Sequence, residues 1–444
     1  MTKEPDNFKN EINEIKVVEV NSQPETTADK APKNTEEPEG ELKSSLKTNE
    51  YDDFIFTKYH GRRKGLLSHS GNHNTTASYS SKNHFVKEVK VSRRKRKKPW
   101  YKKLLVILGI VLASIIALLL IAVGVFFILK EAGVSQLTGG EVNMTAPVIE
   151  NAGVSVDNSR NTITYNGNTY AYNNNMTSIL CIGVDKTDGL GLEDELVGTG
   201  GQADALYLIA LDTATGETNV IGISRDIYSD IGVYSADGVY TGTENAQLCL
   251  AFAYGDGKDE SCKNTVNAVT RLFYNLPINS YFALELGAIS ELNDAVGGVT
   301  VTLTDNYLYH SMGLPPAGST VTLYGDEARA FLRYREVSEL NSSVDRMNRQ
   351  LQYLEGFGKK AIEMTKQDLT TPVTLFNIVK DYSVTNLNAS KISALGYTVA
   401  TSGAEVEFKK VPGEVIHNGE YAEYVVDEQG MLELILDVYY QPVN

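Results

Sequence analysis

Residues Gln202–Asp226 read QADALYLIALDTATGETNVIGISRD. Ala205–Leu211 and Asn219–Ile223 are apolar runs of strand length, and Thr215–Gly216 between them marks a turn. Upstream, Ser178–Val184 (SILCIGV) is another continuous apolar strand. Downstream, Asn245–Tyr254, Cys262–Tyr274, Ile289–Val296, Gly325–Leu332 and Val344–Met364 carry helical spacing, with strands expected at Tyr281–Leu286 and Gly298–Leu303. A stretch over 372–440 mixes two strands and a helix. This alternation predicts an α/β (α+β) domain with a central mixed β-sheet flanked by helices over 177–444. Before it, 131–176 reads as a stalk ending in a hairpin, TITYNGNTYAY, turned at Asn166–Gly167.

Leu104–Leu129, LLVILGIVLASIIALLLIAVGVFFIL, holds no charge and no proline. At about 1.5 Å per residue such a helix spans roughly 39 Å, enough for a hydrocarbon core of ~30 Å with tilt. Arg93–Lys98 (RRKRKK), Trp100 and Tyr101 precede it, and near-neutral sequence follows. Basic flanks stay in the cytoplasm and aromatic residues mark the interface. The expectation is therefore a single-pass protein of the cell membrane. Residues 1–92 form a disordered cytoplasmic tail, 93–130 a basic juxtamembrane segment with the span 104–129, and 131–444 lie outside. Within the tail, Tyr51–Gly65 mixes aromatic and basic residues, as either a docking segment or a solvated linker.

Charge separates the two sides. Residues 1–130 hold 23 Lys and Arg against 15 Asp and Glu; residues 131–444 hold 18 against 41. So acidic an outer domain repels phosphate backbones and excludes general nucleic-acid binding. In an oxidising compartment the short interval between Cys249 and Cys262 predicts a disulfide, with Cys181 a buried thiol.

The outer part has 8 arginines, and most fall in short motifs: Ser224–Arg225–Asp226 at a strand end, Arg333–Tyr334–Arg335 at a helix end, and Arg346 with Arg349 on one helical face, Gln350 beside them. Arginine forks suit phosphate oxygens, but adjacent carboxylates also allow plain ion pairing. Asp185 and Asp204, at ends of neighbouring strands, suit a divalent cation through hard oxygen ligands, or alternatively cap turns. The loop with Glu193, Asp194 and Glu195 reads as a solvated lid. No G-x-S-x-G elbow, P-loop or dinucleotide fingerprint occurs.

Together SILCIGVD, the quoted segment, LAFAYGDG, YFALELGAISELNDAVGGVTV, GDEARAFLRYR and DRMNRQLQYL, in this order over about 177–365, resemble the LytR–CpsA–Psr family of cell-envelope enzymes. The resemblance implies a transferase that moves a glycopolymer, such as teichoic acid or capsule polysaccharide, from an undecaprenyl-pyrophosphate carrier to a peptidoglycan hydroxyl. It implies an apolar tunnel for the isoprenoid, and Mg²⁺ (or Mn²⁺) on Asp185 and Asp204. Arg225, Arg333, Arg335, Arg346 and Gln350 match diphosphate-contacting positions, with Asp226 and Arg349 beside them. The chain departs from the family at Gln202-Ala203-Asp204, where Arg-Ser-Asp is common, and at Ser343, where D-x-x-R is common. It departs also at Gln247 and Cys249, in place of Lys-x-Asn. A polyprenyl-pyrophosphate hydrolase and a non-catalytic envelope sensor, with transcription attenuation inside, are the other readings.

Overall fold

A computed structural model of the chain describes residues 100–138, 142–149, 153–187, 189–191, 197–336, 339, 341–418 and 421–443. The tail 1–92, the basic cluster 93–98 and the acidic loop 193–195 lie outside the described residues.

Helix α1, Trp100–Leu137, covers the apolar run without a break. Its described side chains there are exposed, Leu105 by 59% and Ile128 by 69%. The run also includes side chains outside the described set, and among the described residues no helix is long and apolar enough to cross a membrane. The end of α1 is built into the domain. Leu137 is buried, and its carbonyl accepts a hydrogen bond from Thr177 Oγ1 at 2.9 Å.

Strands β1 (Ser155–Asp157), β2 (Thr162–Tyr165) and β3 (Asn168–Tyr172) form the expected hairpin region. Asn166 and Gly167 both have positive φ, 50° and 77°, the backbone that a two-residue turn demands. This segment is not a free stalk: Met144 and Ile163 sit in the main core, and β3 pairs with β16 (Tyr440–Pro442), joining both ends of the domain.

The central sheet runs β12-β9-β4-β5-β6-β13. Its members are β4 (Met176–Val184), β5 (Ala203–Asp212), β6 (Thr218–Ile223), β9 (Ser280–Glu285), β12 (Ser383–Thr385) and β13 (Val406–Lys410). β4 is antiparallel to β5 and parallel to β9, so the sheet is mixed as expected. Ile179, Leu180, Ile182, Leu206, Leu208 and Ile221 are nearly or wholly buried, which is why their runs lack polar alternation. Helices α2 (Leu250–Ala253) and α3 (Asp259–Leu272) follow an outlying hairpin, β7 (Tyr228–Tyr234) with β8 (Tyr240–Gln247). α4 (Ile289–Ala295), β10 (Val299–Thr302), α5 (Tyr307–Met312), β11 (Thr320–Leu323), α6 (Asp326–Arg333) and α7 (Ser342–Gln367) build a satellite core around Phe331 and Tyr353. The remainder comprises α8 (Thr371–Val379), α9 (Ala389–Ser402), the β14–β15 hairpin (Gly413–Asn418, Tyr421–Val426) and α10 (Glu428–Tyr439).

The sequence reading marked no element over 304–324, where α5 and β11 form, and it differs in two further places. The helix expected over Asn245–Tyr254 shrinks to α2, because Tyr240–Gln247 pairs with β7. β8 is largely polar and exposed and carries no apolar period, whereas β7 packs Ile231 into the core. The stretch 372–440 holds more elements than expected, with short strands placed by pairing at the two sheet edges.

Candidate active site

One edge of the central sheet gathers the candidate residues. β4 ends at Val184 and leads to Asp185; β6 ends at Ile223 and leads to Arg225; β5 begins there. The register places Gly183 opposite Ala205 but Val184 opposite Ala203, so Asp204 is an extra residue, a β-bulge. A bulge re-aims a side chain out of the pleat, and here it turns Asp204 to the arginines. Arg346 Nη1 donates to Asp204 Oδ2 at 2.8 Å, and Nη2 to the Asp204 carbonyl at 3.1 Å. Arg225 Nη1 lies against Asp204 Oδ1, which makes no hydrogen bond of acceptable geometry.

Arg225 is held from behind. Its Nε donates to Asp226 Oδ1 at 3.3 Å, and buried Asp226 also accepts from Ser343 Oγ. Ser343, where the family pattern has an aspartate, thus supplies a neutral donor. Asp345 instead lines a different cleft. Asp226 positions Arg225.

Arg335 donates through Nε to Ser342 Oγ at 2.9 Å. Burial, then Arg225, lower its pKa; burial, then Arg225, push that of Arg346 down to about 10. Guanidinium groups crowded enough to depress one another form a site short of negative charge. Arg333, the last residue of α6, is exposed and makes no hydrogen bond or ion pair among the described residues. Its charge, with those of Arg225 and Arg346, acts on Asp185. Desolvation raises the pKa of Asp185, and Arg333 opposes this most.

Of Arg349 and Gln350, expected at the same site, Arg349 turns to another cleft and Gln350 to the apolar cavity behind the arginines. Arg349 Nη1 donates to Asp305 Oδ2 at 2.7 Å, Nη2 donates to the Tyr334 carbonyl, and its guanidinium lies 5.1 Å from the Tyr334 ring centroid. Gln350 accepts from Tyr207 Oη at 2.7 Å and donates to the Leu332 carbonyl at 3.0 Å. It ties α7 to β5 and α6.

The expected disulfide is absent: Cys181, Cys249 and Cys262 are free thiols. Cys249 faces Arg225, Asp226 and Arg346, whereas Cys262 faces Asp259 and Asp256, so the two look into different surroundings.

Behind the arginines, between the sheet and α4, α6 and α7, lies an apolar cavity of about 300 Å³. Gly183, Ala205 and Leu332 line it, while Asp185, Asp204 and Arg333, one or two residues further along, belong to the charged edge. Burial pushes the Cys181 thiol in its wall up to about 12, and Glu285, which accepts from the Gly189 N–H at 2.8 Å, is the acidic residue of the lining. Sequence reasoning missed Tyr207, and it marked Ser343 as a departure without its bond to Asp226, because a lone tyrosine in a strand and a lone serine in a helix carry no signal of their partners.

Two carboxylates stand among the arginines. Asp185 makes no side-chain hydrogen bond or ion pair among the described residues, whereas Asp204 is ion-paired with Arg225 through Oδ1 and with Arg346 through Oδ2, so a cation there would share it with the arginines. Among the described residues no group of three or more metal-ligating side chains occurs. Two carboxylates fit Mg²⁺, which dehydrates reluctantly and commonly binds one or two carboxylates with substrate phosphate oxygens.

Residues 140–436 match the LytR_cpsA_psr family. The chain is 27% identical over 266 residues to the polyisoprenyl-teichoic acid–peptidoglycan teichoic acid transferase TagU of Bacillus licheniformis, covering 59% of this chain and 76% of that protein. It is 22% identical over 290 residues to the TagU of Enterococcus faecalis, covering 65% and 88%. Among solved structures, protein gbs0355 from Streptococcus agalactiae aligns with a TM-score of 0.47 at 17% identity, covering 59% of this chain and 86% of that one.

Proposed function

We propose, from the premise that this chain belongs to the LytR–CpsA–Psr family, that it is a transferase moving a glycopolymer from a polyprenyl-pyrophosphate carrier onto peptidoglycan. The relatives named for teichoic acid transfer to peptidoglycan support the reaction class. The observation that carries the finer reading is adjacency: a cluster of arginines short of counter-charge borders a largely apolar cavity. A ligand with a diphosphate head and a hydrocarbon tail matches both halves.

In the proposed reaction an acceptor sugar hydroxyl attacks the phosphorus bonded to the glycan. The bond from that phosphorus to the bridging oxygen breaks, and polyprenyl phosphate leaves with the electron pair and takes up the proton that the hydroxyl releases. Arg225, Arg333, Arg335 and Arg346 orient the diphosphate and neutralise charge growing on the leaving group. Asp204 and Asp226 fix the directions of Arg346 and Arg225. Asp185 and Asp204 would hold Mg²⁺ or Mn²⁺, which supplies further neutralisation of phosphate charge.

Leu104–Leu129 is the proposed single membrane crossing, with the N-terminus cytoplasmic and the domain outside. The unbroken α1 with its exposed apolar side chains supports this. Protease added to wall-stripped cells should then remove 131–444; protection of the domain overturns the topology.

The deciding assay incubates the full-length protein with a synthetic polyprenyl-diphosphate-linked saccharide, with and without peptidoglycan. Acceptor-dependent glycan transfer is expected. Polyprenyl phosphate released equally without acceptor assigns the hydrolase instead, and binding without turnover assigns the sensor.

A further inference from the structure

Beside the arginine edge lies a larger cleft of about 720 Å³ that the diphosphate chemistry does not use. Tyr334, between Arg333 and Arg335, and Arg349, one turn after Arg346, form part of its wall. We propose that this cleft is a saccharide subsite holding a neutral sugar of the acceptor glycan. The inference rests on the transfer reading above and adds where the acceptor lies.

The cleft offers an aromatic platform. Tyr307 stacks on Tyr334 with ring centroids 3.5 Å apart and planes 13° apart, and Tyr307 remains 43% exposed. A ring held flat and half open suits the C–H face of a pyranose, which is apolar although its rim is hydroxylated.

The wall also holds unmet hydrogen-bonding capacity of both kinds. Arg349 Nε is a buried donor without a partner, and Gln352 Oε1 a buried acceptor without one. Orphaned buried polar groups are costly. A sugar hydroxyl can donate to the Gln352 oxygen, which a bare phosphate or cation cannot, whereas Arg349 Nε stays enclosed within the wall. Both atoms are covered by their neighbours, so rotation of the Gln352 carboxamide is the motion that presents the oxygen to a ligand.

Charge selects among saccharides. Asp305, Glu336, Glu339 and Asp345 line the cleft, and Arg349 is already paired with Asp305. An acidic cleft repels a phosphate-bearing polymer. The glycan chain of the acceptor, rather than the anionic donor polymer, is therefore the occupant.

The test uses the full-length protein in lipid nanodiscs and calorimetric titration with a β-1,4-linked N-acetylglucosamine tetramer, a glycerol phosphate oligomer and a short prenyl diphosphate. The neutral tetramer should bind and the anionic oligomer should not compete. Tyr307→Ala and Gln352→Leu should each weaken the tetramer about tenfold or more, while Tyr307→Phe, which keeps the ring, retains it. Prenyl diphosphate affinity should be unchanged in all three. Absence of tetramer binding, tetramer binding indifferent to both substitutions, or binding of the anionic oligomer that these substitutions abolish overturns the proposal. Loss of prenyl diphosphate binding by the unsubstituted protein would instead strike the transfer reading.

Discussion

Arg346 and Arg349 stand three residues apart on α7 and are each 6% exposed, yet they serve opposite clefts. Arg346 looks to the sheet edge, where it shares Asp204 with Arg225 and is depressed by its neighbours. Arg349 looks to the α5 side, where it pairs with Asp305 and donates to the Tyr334 carbonyl. The first region has more cations than carboxylates and the second more carboxylates than cations. The lesson is that a buried arginine is evidence for anion binding only when its partners leave charge over.

The hardest test of this contrast is Arg333, which belongs to the cationic side but has no partner to lose. Arg333→Ala should cut glycopolymer transfer by about 10²–10³, the usual loss for one donor to developing charge. The denaturation midpoint should stay put, because an exposed, unpaired side chain contributes little to the fold. Arg333→Lys should restore little, since a point charge does not reproduce the fork. Full specific activity in folded Arg333→Ala would remove it from the mechanism.

Next in size is Asp204→Asn. It leaves Arg346, buried, and Arg225 short of counter-charge, and should cost about 3 kcal/mol in urea unfolding. A stability equal to the parent protein would mean that the arginines are not held by this carboxylate.

Arg349→Ala should cost less, about 1–3 kcal/mol, through its lost hydrogen bonds. Affinity for prenyl diphosphate should be unaltered. A fall in that affinity would place Arg349 back among the diphosphate ligands and erase the contrast.

The smallest effect on the fold is expected at Asp185. Protein packed around it raises its pKa, so its ionised form is disfavoured in the folded state. That penalty is present above the unfolded aspartate pKa, about 3.9, and is relieved as pH falls toward it. Asp185→Asn should therefore match or slightly exceed the parent's stability at neutral pH, with the gap closing in acid, while stimulation of transfer by Mg²⁺ is lost. Marked destabilisation at neutral pH would instead make Asp185 a structural partner of the arginines.

Much of the fold was legible. β4, β5, β6 and β9 are apolar because sheet and helices enclose them, and their runs say so. β7 and β8 were not legible, since β8 is polar and exposed and β7 is a short run broken by Ser229, Asp230 and Gly232, and the two exist by pairing with each other. The candidate site was half legible. Arg225, Arg333 and Arg335 announce themselves at the ends of apolar elements, where a side chain leaves the core. The bulge that aims Asp204, the serine that holds Asp226 and the free state of Cys249 and Cys262 depend on neighbours remote in sequence.

The amino-acid sequence by itself determined the apolar elements, the uncharged run before the domain and the concentration of arginines at element ends, because periodicity and composition are local properties. Only the tertiary structure decided which arginine meets which carboxylate. Positions three apart on a helix point about 60° from each other; on α7 that small angle separates two walls. What stands opposite each wall, Asp204 or Asp305, is set by chain segments more than forty residues away.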